Sequence, residues 1–380
     1  MKIKSTNVWY EEKFQPLQVV FEAGKITQVV PYDFYEDDVY DVFDAWVLPG
    51  LIDIHCHGYS GCNANFATIE GLQKWNDALP LEGVTSYLIT SSTAPFADLL
   101  KSYQVINQFI DSKPQASEPL GIHIEGPFIS KEFKGAHNPE YIIKPTVKAL
   151  KELQAQAPNK IKMVAIAIEE DEDGAMTRYC TENNIVVALG HTAATFEDAE
   201  FGRKMGATSF THTFNAMVPL HHRKPGVIGA AMRFEEMFAE IIADGVHVNI
   251  DLVNVLGRVK GKDKLIVVTD AVAHKGLPVG KHTLRDRVVT IEPDGVGRLE
   301  DGRLAGSSNK MNDMVKNLIY EAKLPLATSI NAATKNPARY LKLHNKGEIE
   351  VGFDADLIVT TPQLEILETY KAGHKVYSLK

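Results

Sequence analysis

The sequence predicts an α/β chain in which a (β/α)8 barrel of the TIM type carries a small β-sandwich built from both termini. One unit recurs from about Leu51 to Leu343: an apolar, β-branched run, a polar residue at its C-terminal end, and then a helical stretch. Its candidate strands number eight, which is the count that closes a parallel barrel. Short alternating strands separated by turn signals occupy both ends of the chain. Residues 1–48 and 344–380 therefore read as one β unit, with 49–343 inserted between its halves.

In order, the chain opens on strands expected from Lys2 to Trp9, Leu17 to Phe21 and Lys25 to Val30, the last following the turn Glu22-Ala23-Gly24. The barrel strands are expected at Leu51 to His57, Val84 to Thr90, Leu120 to Glu125, Met163 to Ile168, Ile185 to His191, Thr208 to Thr213, Phe238 to Ala243 and Leu265 to Asp270. Amphipathic helices fit between them, among them Asp98 to Phe109, Thr146 to Gln156 and Thr195 to Met205. An irregular stretch from Val279 to Arg303 and a helix from Met311 follow, and alternating segments from Gly347 onward complete the terminal unit. An open doubly wound sheet would alternate in the same way. Its phosphate-binding Gly-x-Gly-x-x-Gly is replaced here by His57-Gly58-Tyr59-Ser60-Gly61-Cys62.

Composition narrows the function classes. With 380 residues, 44% hydrophobic and 23% charged, the chain has the make-up of a globular protein able to bury a large core. A net charge of −9 without a basic run argues against nucleic-acid or membrane partners. Three cysteines, Cys56, Cys62 and Cys180, form no disulfide framework, which points to a reducing compartment, the cytoplasm. Met1-Lys2-Ile3-Lys4-Ser5 leads into no signal-peptide core, and no apolar run is long enough for a bilayer.

The chemistry sits at the strand ends, which in a parallel barrel form the active-site face. His55 and His57 are two apart and share a face; Glu125, His191, His212 and Asp270 end other strands. A lone buried histidine or aspartate is usually a hydrogen-bonded structural residue. Six such residues at the ends of five strands instead suit a divalent metal, Zn²⁺, Fe²⁺, Mn²⁺ or Co²⁺. His123, on the face of Glu125, reads as a core histidine, and Cys56, on the face opposite His55 and His57, as a packed thiol.

The stretches Pro49-Gly50-Leu51-Ile52-Asp53-Ile54-His55-Cys56-His57-Gly58, Gly121-Ile122-His123-Ile124-Glu125-Gly126-Pro127-Phe128 and Gly135-Ala136-His137-Asn138-Pro139 resemble the amidohydrolase superfamily. Gly190-His191-Thr192, Thr211-His212-Thr213-Phe214-Asn215-Ala216-Met217, His222-Arg223-Lys224-Pro225-Gly226, Ala243-Asp244-Gly245-Val246-His247 and Val268-Thr269-Asp270-Ala271 resemble its amino-sugar-phosphate deacetylases. The resemblance implies hydrolysis of the acetamide of N-acetyl-D-glucosamine 6-phosphate, in amino-sugar catabolism and cell-wall sugar recycling. The galactosamine epimer, or another amidohydrolase reaction, is the alternative.

It further implies Glu125, His191 and His212 as ligands of a principal metal and His55 with His57 as the means to a second, so one or two ions per subunit. Many amidohydrolases bridge two metals with a carboxylated lysine on the fourth strand. Met163 to Ile168 offers none and Lys162 lies at the wrong end, leaving Glu125 as the bridge. Asp270 is implied as the residue that moves the proton, and His137 as a partner of the acetyl carbonyl or of a sugar hydroxyl, with Ala136 beside it. Arg223, His247 and the Asn215-Ala216 backbone are implied for phosphate, and Asp244, Gly245, Val246, Leu304, Ala305 and Gly306 for the sugar pocket. A homodimer is implied too, with Arg223 serving the neighbouring subunit's site.

Overall fold

The computed structural model describes residues 1–284, 287–293 and 295–379. Its centre is one eight-stranded sheet: β1 (Leu51–Cys56), β2 (Val84–Ser91), β3 (Glu118–Ile124), β4 (Ile161–Ile166), β5 (Val186–Leu189), β6 (Ser209–Phe210), β7 (Phe238–Ile241) and β8 (Leu265–Val267). Each strand pairs in parallel with the next, because a helical crossover separates them. Every residue of β1 and β2 is buried, as expected of strands covered by helices outside and by the barrel interior within.

The seam between β8 and β1 closes at one end only. There the Asp270 N–H donates to the His55 carbonyl (2.9 Å) and the His57 N–H to the Ala271 carbonyl (2.6 Å). At the opposite end, Ile52 and Val267 donate instead to the carbonyls of Ala333 and Ala332, which wedge between the two strands (2.8 and 2.9 Å). Continuity of the wall is thus greatest where the histidines and Asp270 lie.

The helices form as local sequence dictates. Val147–Gln156 starts at Thr146, whose Oγ1 accepts from the Ala149 N–H, and buries Leu150 and Leu153, three apart on one face. Phe196–Met205 begins with a reciprocal cap between Thr195 and Asp198 and stops at Gly206, whose φ of 111° suits glycine.

Strands β5, β6 and β8 stop earlier than the sequence pattern suggests. His191, His212 and Asp270 have φ of 47°, 25° and 47°, a left-handed conformation that breaks the ladder before they are reached. They stand on the turns that leave the strands.

The terminal segments pair into a second sheet, in the order His374–Ser378, Ile366–Lys371, Leu357–Thr360, Trp46–Pro49, Lys2–Tyr10, Lys13–Glu22 and Lys25–Pro31. Its last strand also bonds to the turn before Leu357–Thr360, with the Ile26 N–H donating to the Phe353 carbonyl (2.9 Å) and the Gly352 N–H to the Ile26 carbonyl (2.8 Å). Alternation divides the side chains: Val47, Leu357 and Val359 join Ile3, Val19 and Tyr370 in a separate core, whereas Leu48 and Ile358 pack into the barrel's.

The stretch Val279 to Arg303, expected to be irregular, holds a three-stranded antiparallel sheet, Gly280–Leu284, Arg287–Ile291 and Gly297–Leu299. Residues 285, 286 and 294 of that stretch lie outside the described residues. Among the described residues, no helix is long and apolar enough to cross a membrane.

Candidate metal centre

Glu125, one residue past β3, is the hub. Its Oε1 lies 2.8 Å from His212 Nε2, 3.1 Å from His191 Nε2 and 3.3 Å from His55 Nε2; its Oε2 lies 3.1 Å from His57 Nε2 and 3.4 Å from His137 Nε2. Asp270 Oδ1 is 3.0 Å from His57 Nε2 and 3.5 Å from His55 Nε2. The strand period aims His55 and His57 the same way, and their Nε2 atoms stand 3.2 Å apart.

Two donor sets share Glu125: with His191 and His212, and with His55, His57 and Asp270. Ligands of a tetrahedral ion at ~2.0–2.1 Å stand roughly 3.3 Å from one another, close to the separations here. Imidazole nitrogens and carboxylate oxygens are also the right donors for a divalent transition metal, so the residues fit. Among the described residues Glu125 and Asp270 pair with histidines and no lysine, and Lys162 is exposed on β4.

Three of the rings are held from behind, while His212 Nδ1 has no hydrogen-bond partner among the described residues. His57 Nδ1 meets the Thr90 carbonyl (3.0 Å), His191 Nδ1 the Phe133 carbonyl (2.9 Å) and His55 Nδ1 the carboxylate of Glu240 (3.0 Å). Glu240 is absent from the sequence reading. The available signal was one charged residue inside the apolar strand Phe238–Ile241. His123 is buried with its ring 4.6 Å from that of His55, and Cys56 is buried with Sγ on the Leu88 carbonyl, both as expected.

Charge in the site is unevenly shared. Burial pushes the Glu125 carboxyl up, but His55, His191 and His57 together hold it well below the usual carboxylate range. Asp270 is likewise brought down to about 2 against its burial, chiefly by the His57 hydrogen bond and the charge of His55. His57 rises to about 9 because Glu125 and Asp270 outweigh its desolvation. His137, where burial dominates, falls to about 4.

A cavity of about 740 Å³ opens over this cluster. Ala136, His137, Asn215, Ala216, His247, Leu304, Ala305 and Gly306 line it. Asp244 stands behind, its Oδ2 on His247 Nδ1 (2.6 Å) and its Oδ1 accepting from the His247 N–H (2.7 Å); Gly245 and Val246 complete that turn away from the cavity wall. Arg223 is a further expected contact absent from the cavity wall. It is exposed, its Nη1 rests on His222 Nε2 (2.9 Å), and the structure does not bring it into the cavity. Sequence reasoning also missed the three-stranded sheet's share of the wall, through Thr283, Leu284, Val289 and Leu299, and His274, which is buried beside the cavity.

A model of the amidohydrolase family matches residues 46–376. The chain is 34% identical over 360 residues to the N-acetylglucosamine-6-phosphate deacetylase of Lysinibacillus sphaericus, covering 94% of this chain and 93% of that one. It is 31% identical over 332 residues to the N-acetylgalactosamine-6-phosphate deacetylase of Escherichia coli O157:H7, covering 87% and 88%. In structure it is similar to a variant of the Mycobacterium smegmatis N-acetyl-D-glucosamine-6-phosphate deacetylase in complex with N-acetyl-D-glucosamine-6-phosphate, with a TM-score of 0.94, 28% identity, and 100% and 99% of the two chains covered.

Proposed function

The chain belongs to the amidohydrolase family, and on that footing we propose that it hydrolyses N-acetyl-D-glucosamine 6-phosphate to D-glucosamine 6-phosphate and acetate. The observation that carries this reading is the convergence of five imidazoles and Asp270 around Glu125 at the floor of one cavity. Glu125, His191 and His212 would hold one divalent ion, and His55, His57 and Asp270, with Glu125 between, a second; Zn²⁺, Fe²⁺, Mn²⁺ and Co²⁺ all suit such donors. A bound divalent ion lowers the pKa of water toward ~7 and polarises a carbonyl.

The chain's own residues supply the rest. Asp270, ionised and facing the cavity, takes the proton of the attacking water and delivers it to the departing nitrogen. His137 is set as a neutral donor. The Thr93 N–H donates to its Nδ1 (3.2 Å), which leaves the hydrogen on Nε2, directed toward the cluster where the acetyl oxygen would gain charge. His247, whose protonated form is favoured by Asp244 over the opposing effect of burial, offers a cationic donor for phosphate next to Asn215.

No lysine or arginine lines the cavity among the described residues. We take Arg223, an exposed cation whose planar fork suits phosphate, to reach the site of a second copy in a homodimer. We also take the chain to divide at 49 and 343 and to work in the cytoplasm. Acetate release measured across the 6-phosphates of N-acetylglucosamine and N-acetylgalactosamine and the free sugars, with metal analysis of the same sample, tests the reading. Fastest release from the glucosamine phosphate is expected; release from none rejects it.

A further inference from the structure

We propose that Glu240 is the positioning residue of the second metal position, holding His55 in the form that ligates and supplying negative charge behind it. This rests on the metal-dependent reading above and adds to it a residue outside both donor sets. Glu240 lies on β7 with no exposed surface. Its Oε2 is 3.0 Å from His55 Nδ1 and 3.3 Å from the backbone nitrogen of His212. A backbone N–H can only donate, so Oε2 is an acceptor, and His55 Nδ1–H donates to the same atom. A neutral ring with its hydrogen on Nδ1 keeps its lone pair on Nε2, and that atom faces Glu125, His57 and Asp270.

The other rings are backed differently. His57 and His191 rest on backbone carbonyls and His212 Nδ1 has no partner among the described residues, so His55 alone among these ligands has a carboxylate behind it there. A carboxylate behind a ligating imidazole fixes its orientation and raises its basicity.

A purely structural role suits Glu240 poorly. Oε1 has no hydrogen-bond partner among the described residues, and no lysine or arginine there lies within ion-pairing distance. A buried carboxylate left this way disfavours folding unless another positive charge completes the arrangement. A divalent ion on the far side of His55 does so.

The test uses chelator-treated full-length protein, wild type and Glu240→Gln, titrated with Zn²⁺ while binding and thermal unfolding are followed. Two equivalents are expected for the wild type. The variant should bind the first equally well and the second about 10–100-fold more weakly, and before metal addition its Tm should equal or exceed that of the wild type. The proposal is overturned by an unchanged second affinity, by both affinities falling together with a lowered Tm, or by a wild type that binds one equivalent. Should the variant not fold, ¹⁵N spectra of wild-type His55 decide: hydrogen on Nδ1 supports the proposal and hydrogen on Nε2 overturns it. Acetate release by the wild type is scored separately, so failure of the deacetylase reading is distinguishable from failure of this one.

Discussion

Two clusters of carboxylates stand out in this chain, one buried and one partly buried, and their partners set them apart. Where the terminal sheet meets the barrel, Glu118, Asp354 and Asp356 surround Lys346, whose Nζ is 2.9, 2.9 and 2.7 Å from them. Lys371 and Lys25 complete that group, at 3.1 Å from Glu118 and 2.5 Å from Asp354. Inside the barrel, Glu125 and Asp270 face histidines instead. Lysine brings a fixed positive charge and no lone pair, so the junction is complete within the protein. Imidazole brings a lone pair, so the barrel cluster can complete itself around a cation. Both are groups of three or more potential ligands in close range, and the second opens onto a cavity of substrate size.

The largest effect that would break this contrast is expected in the barrel. Asp270→Asn keeps the shape and removes the proton acceptor, so kcat should fall by roughly 10²–10⁴-fold while His55, His57 and Glu125 retain their metal. Turnover with a metal count on the same preparation checks it, and full activity would mean that Asp270 moves no proton. The mirror experiment is Lys346→Met at the junction. It removes one cation from three carboxylates, of which Asp356 is buried, and leaves Lys371 and Lys25 to pair with them, so it should cost about 1–3 kcal/mol of stability with kcat unchanged. A large loss of kcat in folded Lys346→Met would show that the junction is part of the working site.

Between these lies the phosphate contact. Lys346 is buried beside its partners, whereas Arg223 is an exposed cation resting on His222. Arg223→Ala should raise KM for N-acetylglucosamine 6-phosphate by about 10–100-fold, the range for losing a charge-assisted contact of ~1.5–3 kcal/mol, and leave the free sugar unaffected. Equal effects on both sugars would remove Arg223 from the phosphate site.

The two clusters were also unequally legible in the sequence. Barrel chemistry gathers at strand ends, so His55, His57, Glu125, His191, His212 and Asp270 stood out by their periodic placement. The backbone that presents three of them was hidden. Nothing in the apolar runs foretold the positive φ at His191, His212 and Asp270, and the strands were drawn too long there. Glu240 was concealed for another reason, since one acid in an apolar strand leaves the strand pattern intact and only the folded barrel sets it behind His55. The junction was invisible because Glu118 and Lys346 are far apart in sequence, and no local rule pairs them.

The smallest expected effect concerns pH and sharpens the contrast most finely. At the junction, burial pushes Glu118 and Asp354 up, but the lysines outweigh it and leave both carboxyls below their ordinary values. Groups lowered in this way contribute stability above their unfolded pKa of ~4, and lose it as pH falls through the folded value. Lys346 is desolvated too, yet Asp356 and Glu118 raise it above the ordinary lysine range. Its contribution is complete below ~10.4 and is lost only as pH rises through the raised value. The junction's stabilisation should therefore be flat from about pH 5 to about pH 9. In chelator-treated protein, the Tm gap between wild type and Lys346→Met should stay constant across that window and narrow below about pH 4. A gap that closes between pH 7 and pH 5, where histidines titrate, would mean that the junction draws on imidazole as the barrel does, and the distinction between the two clusters would fail.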